Sequence, residues 1–327
     1  MPVLLRRLAK TANPDAAFLK FNAFLRNLPA GVQLFSLFNV NPHLLGLIAD
    51  ILGSAPTLAE RLSKSPSLLD AVLQADFYNK LPDAAQLAAE WGEMASTTRA
   101  FEDRMNTLRR FRNEKQFQAG VQLLKCMVTA VETGHFLADL ADLMVEKTLE
   151  AIMEEFEKTY GKITQSRFCV IGLGKLGSRE MTFGSDIDLV FIYDVPDANT
   201  ASSGEKGLNP SVYYNRLAQR LITALSSMER EGRLYEVDAR LRPSGSQGLL
   251  AVSLQGLEQY FQESAWTFEY MAFTKARPVA GDASLKKELT QFIGKQLAKP
   301  RDKKKFRADV IEMRERIEKK YGTKNPW

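Results

Sequence analysis

The sequence predicts an α+β fold in which a small mixed sheet is preceded and followed by helical regions, and three observations carry that prediction. Residues 1 to about 160 keep apolar spacings of three and four almost throughout, as in Leu44, Leu45, Ile48 and Leu52 and again in Leu137, Leu140, Met144, Leu149 and Ile152, which is the period of helices with one buried face. Between Arg167 and Arg242 the period shortens to apolar or alternating runs separated by glycine-rich and proline-bearing breaks. From Ser253 onward the helical spacing returns. The chain is therefore divided into a helical region over 1–160, an α/β core over 161–252 and a helical C-terminal part over 253–327. Its 327 residues, 45% hydrophobic and 25% charged, can bury a large core and make two or three domains.

In the first region the helices break at Asn13-Pro14, Asn41-Pro42, the Gly53 to Pro56 segment, Ser65-Pro66 and Leu81-Pro82-Asp83, where Ser, Asp or Pro can start the next helix. No fixed-period repeat is present. In the core, Phe168 to Gly172, Asp186 to Asp194 and Leu234 to Leu241 read as three strands, with a helix from Pro210 to about Glu229 before the third. Asp302 to Lys320 reads as a charged amphipathic helix with Phe306, Val310, Met313 and Ile317 on one stripe and a solvated basic face.

Composition excludes several classes of function. The net charge of +5 is modest and the basic residues are dispersed except from Arg301 to Arg307, so there is no nucleic-acid footprint; a phosphorylated ligand or an acidic partner fits as well. Two cysteines, Cys126 and Cys169, and two histidines, His43 and His135, have no zinc-ligand spacing. No signal peptide precedes residue 30 and no uninterrupted apolar run reaches about 18 residues, so the expectation is a soluble cytoplasmic protein without a membrane partner. The run Gly172-Leu173-Gly174-Lys175-Leu176-Gly177 satisfies the letter of the dinucleotide fingerprint, yet the βαβ units that such a fold needs do not follow, and the Walker ending is missing. These glycines are read as a tight turn whose backbone can face phosphate.

The chemistry is concentrated in Gly184-Ser185-Asp186-Ile187-Asp188-Leu189-Val190-Phe191-Ile192-Tyr193, where two acids interrupt a run that reads as a buried strand. Strand side chains alternate faces, so Asp186 and Asp188 are expected to point the same way, about 7 Å apart at their Cα atoms. Such a pair repels and calls for a cation. Adjacent hard oxygen ligands suit Mg²⁺, which takes one or two carboxylates plus substrate phosphates. The alternative is a strand end at which both acids are simply solvated. On the third strand Asp238, Arg240 and Arg242 are expected on one face: a third carboxylate beside a metal pair can bridge the metal and accept a proton, and the arginines can neutralise a triphosphate. Alternatively, Asp238 makes a surface salt bridge with one of the arginines.

Gly184-Ser185, the two-acid strand and the single acid on a later strand together resemble the polymerase-β-type nucleotidyltransferase superfamily, so the core is expected to be a polymerase-β-like nucleotidyltransferase core. At a finer level, Gly174-Lys175-Leu176-Gly177, the Gly184 to Leu189 run, Val237-Asp238-Ala239-Arg240-Leu241-Arg242-Pro243-Ser244-Gly245 and Ala265-Trp266-Thr267-Phe268-Glu269 resemble, in order and at familiar intervals, the glutamine synthetase adenylyltransferase family. Members carry one catalytic domain that removes AMP from a tyrosine of glutamine synthetase and a second that attaches it. Ser244, Ala265-Trp266 and the leading helical region resemble the attaching, C-terminal copy. Departures are Phe268, Tyr270 and Ala239, which concern packing near substrate and not the acids.

The resemblance implies transfer of AMP from ATP to a glutamine synthetase tyrosine with release of pyrophosphate, in the regulation of nitrogen assimilation. It implies two Mg²⁺ ions held by Asp186, Asp188 and Asp238, with Asp238 also the candidate base, and triphosphate contacts from Gly184, Ser185, Lys175, Arg240 and Arg242. Either arginine can instead anchor Glu236 or Glu269. The rival readings are the phosphorolytic, AMP-removing activity and a non-catalytic docking module for glutamine synthetase. Because the family continues past Asn325-Pro326-Trp327, the chain is expected to be an excised piece that lacks the removing half and a C-terminal helical domain, with control by the PII signalling protein absent or altered.

Overall fold

Helix starts in the first region follow from proline, whose fixed φ suits the first helical position and whose missing N–H would have no partner there. The helices Pro14–Arg26, Pro42–Ser54 and Pro56–Lys64 all begin on the prolines that the sequence marks as breaks. Ala84–Ala95 begins with a capping box, the Asp83 carboxylate accepting the N–H groups of Ala85 and Gln86 while the Gln86 side chain accepts the Asp83 N–H. The computed structural model describes residues 2–11, 13–26, 38, 41–65, 68–98, 100–243 and 245–321. Pro66, Ser244 and Asn325-Pro326-Trp327, singled out above, lie outside the described residues.

The chain divides into two compact units. The helical unit comprises Met1–Met144, Glu180–Gly184 and Met228–Leu234. Its core joins Phe21, Phe24, Ile48, Ile51, Leu52 and Leu62 to Phe117 and Val121 of the long helix Phe101–Leu124. Gln118 and Gln122 on that helix are buried but satisfied, both donating to the Phe77 carbonyl.

The sheet unit comprises Val145–Arg179, Ser185–Ser227 and Tyr235–Trp327. Its strands are β1 (Arg167–Leu173), β2 (Ile187–Asp194), β3 (Val237–Asp238), β4 (Ala251–Ser253) and β5 (Arg277–Gly281). The sheet is mixed: β1 lies between β5 and β2 and runs antiparallel to both, while β3 and β4 pair parallel with successive parts of β2. Both faces of β1 and β2 are covered, which explains their almost unbroken apolar sequence. On one face Cys169, Ile171, Leu173, Val190 and Ile192 pack with the helices Leu254–Glu263 and Ala283–Ala298 through Leu257, Phe261, Leu285 and Leu289. On the other, Tyr214 of the helix Pro210–Ser226 stacks on Phe168 and Tyr193, with ring centroids 5.5 and 4.7 Å away.

The structure departs from the sequence reading in the sheet. Five strands replace three, and β5 falls where helical spacing was read. The third strand is cut from Leu234–Leu241 to Val237–Asp238 because the Asp238 carboxylate accepts the backbone N–H of Arg240 at 2.8 Å, bending the chain out of the ladder. Asp238, Arg240 and Arg242 therefore do not share a strand face. Likewise β2 starts at Ile187, so Asp186 stands just before the strand. No described helix is long and apolar enough to cross a membrane.

Candidate active site

Strand register builds the site. In β2, Asp188 is paired with Leu173 at the end of β1 on one side and with Asp238 of β3 on the other. Paired residues on neighbouring strands carry their side chains to the same face, with backbones about 4.8 Å apart, so the two carboxylates are neighbours. Directly after Leu173 the chain turns at Gly174, with φ +54, into a single helical turn, Gly174–Gly177. A Cβ on Gly174 would lie 2.2 Å from Asp188 Oδ2, so the bare backbone of this residue makes room for the carboxylate. Arg277 of β5 holds the short helix, its guanidinium donating to the Leu176 carbonyl at 3.1 Å. Gly174→Ala is expected to cost about 1 kcal/mol from the left-handed backbone alone, and to displace the Asp188 carboxylate. A lowered melting temperature with an altered Asp188 NMR titration would show both effects.

Charge accumulates around Asp188. This half-buried carboxyl is held above the ordinary carboxylate range, chiefly by burial and then by the charges of Asp186 and Asp238, with Arg240 and Lys175 opposing. Asp238 moves the other way: hydrogen bonds from Arg240 hold it below the usual range. The Arg240 Nε donates to both Asp238 oxygens at 3.0 and 2.9 Å, and Nη2 donates to Oδ2 at 2.5 Å. Asp186 is exposed. Two adjacent carboxylates with opposite perturbations, beside a third, are an arrangement typical of catalytic sites.

The remaining residues singled out in the sequence fall as follows. Lys175 is exposed on the one-turn helix and near enough to act on Asp188 electrostatically. Ser185, part-buried, belongs to the sheet unit with the acids, whereas Gly184 is counted with the helical unit and is exposed. Arg242 donates to the backbone carbonyls of Ala239 at 2.5 Å and Gly248 at 3.3 Å, closing the loop after β3. Glu269, the proposed arginine anchor, accepts from the Tyr260 hydroxyl and the Trp266 N–H. Sequence reasoning missed the seating of Asp188 against Gly174. The signal was present as a glycine directly after a strand, but its neighbour is set by register with β2.

As donors for a metal the three acids offer only carboxylate oxygens, which fits Mg²⁺ rather than zinc or copper. Among the described residues no three acidic, histidine or cysteine side chains already converge on one point. Asp238 is instead paired with Arg240, whose side chain is 79% exposed. The donor set thus suits a hard divalent cation in its chemistry.

The model of the family described as glutamate-ammonia ligase adenylyltransferase matches residues 45–292. The bifunctional glutamine synthetase adenylyltransferase/adenylyl-removing enzymes of Brucella melitensis, Agrobacterium fabrum and Xanthobacter autotrophicus are 41%, 42% and 37% identical to this chain over its whole length. The chain spans about a third of the length of those relatives, 33% in each case. With the matched segment running across β1 to β5 and all three aspartates, the chain belongs to the glutamate-ammonia ligase adenylyltransferase family.

Proposed function

We propose that the chain transfers AMP from ATP to a tyrosine hydroxyl of glutamine synthetase, releasing pyrophosphate, and that Asp186, Asp188 and Asp238 carry the reaction. The observation that supports this reading most is the Asp188–Asp238 pairing across β2 and β3, which sets two carboxylates side by side, one of them held above the ordinary range by burial and by its acidic neighbours. Asp186 and Asp188 would hold one Mg²⁺ and Asp238 would share a second; when bound, the ions offset the triphosphate charge through in-line displacement at the α-phosphorus. The tyrosine oxygen forms the new bond to that phosphorus while the bond to the β-phosphate breaks and pyrophosphate leaves. A free tyrosine has a pKa of about 10, so its proton must be taken up as the bond forms. Asp238 is the proposed acceptor.

Paired with Arg240, Asp238 is too weak a base for that task. Arg240 is therefore proposed to turn from Asp238 to the triphosphate when Mg·ATP enters, with Ser185, Gly184 and Lys175 contacting the β- and γ-phosphates. Arg242 is proposed to support that movement by holding the loop. Arg240→Gln is expected to raise the Asp238 pKa, to tighten divalent-metal binding and to slow transfer by about tenfold or more. A lowered folded pKa adds stability that is present above about 3.9 and is lost as pH falls through the folded value. The variant should lose that increment, well under 1 kcal/mol because Arg240 is largely exposed. NMR titration of Asp238 and calorimetry with Mn²⁺ measure the two effects.

The names of the relatives include both attachment and removal of the adenylyl group. Ala265-Trp266, Ser244 and the leading helical region favour attachment for this chain. Glutamine synthetase is the proposed protein substrate, and control by PII is proposed to need regions beyond this chain. Incubation with unmodified glutamine synthetase and ATP should give AMP-modified product. ADP formation from modified synthetase and phosphate would instead assign removal. Mg²⁺ and ATP together are expected to raise the melting temperature well beyond the sum of their separate shifts, because each completes the other's coordination.

A further inference from the structure

We propose that Arg277 is a positioning residue for Lys175: its guanidinium holds the carbonyl end of the one-turn helix Gly174–Gly177, and so fixes the direction in which Lys175 reaches the triphosphate. The inference rests on the function proposed above, which puts Lys175 on the β- and γ-phosphates, and deepens it by naming what aims that side chain. Every residue it uses lies in the sheet unit.

A single helical turn does not stand by itself. Winding it fixes several backbone angles for one hydrogen bond, here from the Ser178 N–H to the Gly174 carbonyl at 3.1 Å, and that exchange is unfavourable in isolation. The Ser178 hydroxyl reinforces this bond, donating to the same carbonyl at 2.9 Å. The carbonyls at the other end need donors from elsewhere. Arg277 brings them: Nη2 donates to the Leu176 carbonyl at 3.1 Å, beside the Arg179 N–H at 3.2 Å, and Nε donates to the Gly177 carbonyl at 3.4 Å. Arg277 is itself placed by the sheet, being paired with Gly172 in the register of β1 and β5.

The glycines of Gly172-Leu173-Gly174-Lys175-Leu176-Gly177, which match the dinucleotide fingerprint in letter only, fit the turn into this seat. A Cβ on Gly177 would lie 1.6 Å from the Lys275 carbonyl oxygen, so the end of the turn rests directly on the chain that enters β5. One on Gly172 would lie 2.9 Å from Leu176 Cδ2, so the strand leaves room for Leu176, which is fully buried. With Leu176 inside and Gly174 against Asp188, the rotation of the turn is set and Lys175 is left on its exposed side. The Cα–Cβ bonds of a helix lean toward its N-terminus, so Lys175 leans toward Gly174 and the Asp188 carboxylate, on which its charge acts. That lean lasts only while the turn is wound. On a flexible four-carbon stem, the direction of the first bond is what the backbone can fix.

A double-mutant cycle on Mg·ATP affinity, measured by calorimetry without glutamine synthetase, tests the proposal. Lys175→Met should weaken binding about tenfold and Arg277→Gln about fivefold, while the double variant should lose about tenfold, short of the product, about fiftyfold, that independent effects would give. Amide exchange at Ser178 and Arg179 should be at least about tenfold faster in Arg277→Gln and unchanged in Lys175→Met. If Arg277→Gln does not fold, Arg277→Lys, which keeps the charge but not the two-point fork, enters the same cycle with an expected loss of about threefold. Arg167→Gln, which breaks the ion pairs to Asp194 and Glu288 in the same unit, should lower the melting temperature and leave affinity and this exchange as in wild type. Effects that multiply, wild-type affinity in the Arg277 variants, unchanged exchange in Arg277→Gln, or equal weakening by Arg167→Gln would each overturn the proposal. A wild type that binds Mg·ATP and transfers nothing defeats the catalytic reading alone, because the cycle reads binding; one that binds no Mg·ATP overturns both.

Discussion

Asp188→Asn is expected to abolish AMP transfer, by at least about a thousandfold, in a protein that is no less stable than wild type at neutral pH. The loss corresponds to about 4 kcal/mol of transition-state stabilisation, a reasonable amount for a ligand of a metal that would also bind the triphosphate. The stability follows from linkage. Burial and the charges of Asp186 and Asp238 raise the folded pKa of Asp188, so its ionised form is disfavoured in the fold. Stability attached to such a group is fully present below the unfolded pKa and is lost as pH rises through the folded one. The variant has no such loss, so the two melting curves should meet in acid and separate toward neutrality, with the variant higher. Thermal melts across pH alongside single-turnover transfer measure both. A variant whose melting curve keeps the wild-type dependence on pH, without separating from it toward neutrality, would show that Asp188 is not the strained group.

Asp238→Asn should separate binding from chemistry. Asp186 and Asp188 remain to hold the nucleotide-bound metal, so Mg·ATP affinity is expected within about tenfold, or about 1.4 kcal/mol, of wild type. Transfer should fall at least about a hundredfold, because both the second metal contact and the proton acceptor are lost in the transition state. If the Asp238–Arg240 pair were only a surface ion pair, the variant would lose a little stability and the folded fraction would keep its specific activity. Nucleotide affinity, melting and single-turnover rate on one preparation distinguish the two.

The legible parts of this chain were those in which residue type conflicts with surroundings. Asp188 stood out because a charge interrupts a run, Ile187 to Tyr193, that is otherwise buried on both faces. β1 and β2 were legible for the same reason, and the helix starts because proline and Asp83 mark them chemically. β5 was not legible: it contains Pro278 and ends in Gly281, residues that a sheet tolerates at its edge but that read as breaks. β4, Ala251–Ser253, is too short to show alternation. The third strand looked long because Leu234 and Tyr235 are buried ahead of it, while the turn at Asp238 depends on a side chain bonding to backbone, which no periodicity records. The Asp238–Arg240 pair was foreseen only as the plainer alternative, and its geometry gives the proposed base a counter-ion.

If the three aspartates move an adenylyl group, the position of the label on the product shows it. The chain should be incubated with glutamine synthetase, Mg²⁺ and ATP labelled in parallel reactions at the α- or the γ-phosphate, with pyrophosphate measured in each. The expected result is α-label on glutamine synthetase, one pyrophosphate released per label and no γ-label on protein, with neither α-label nor pyrophosphate from Asp188→Asn. Transfer of the γ-label, or α-label incorporated at the wild-type rate by Asp188→Asn, would contradict it.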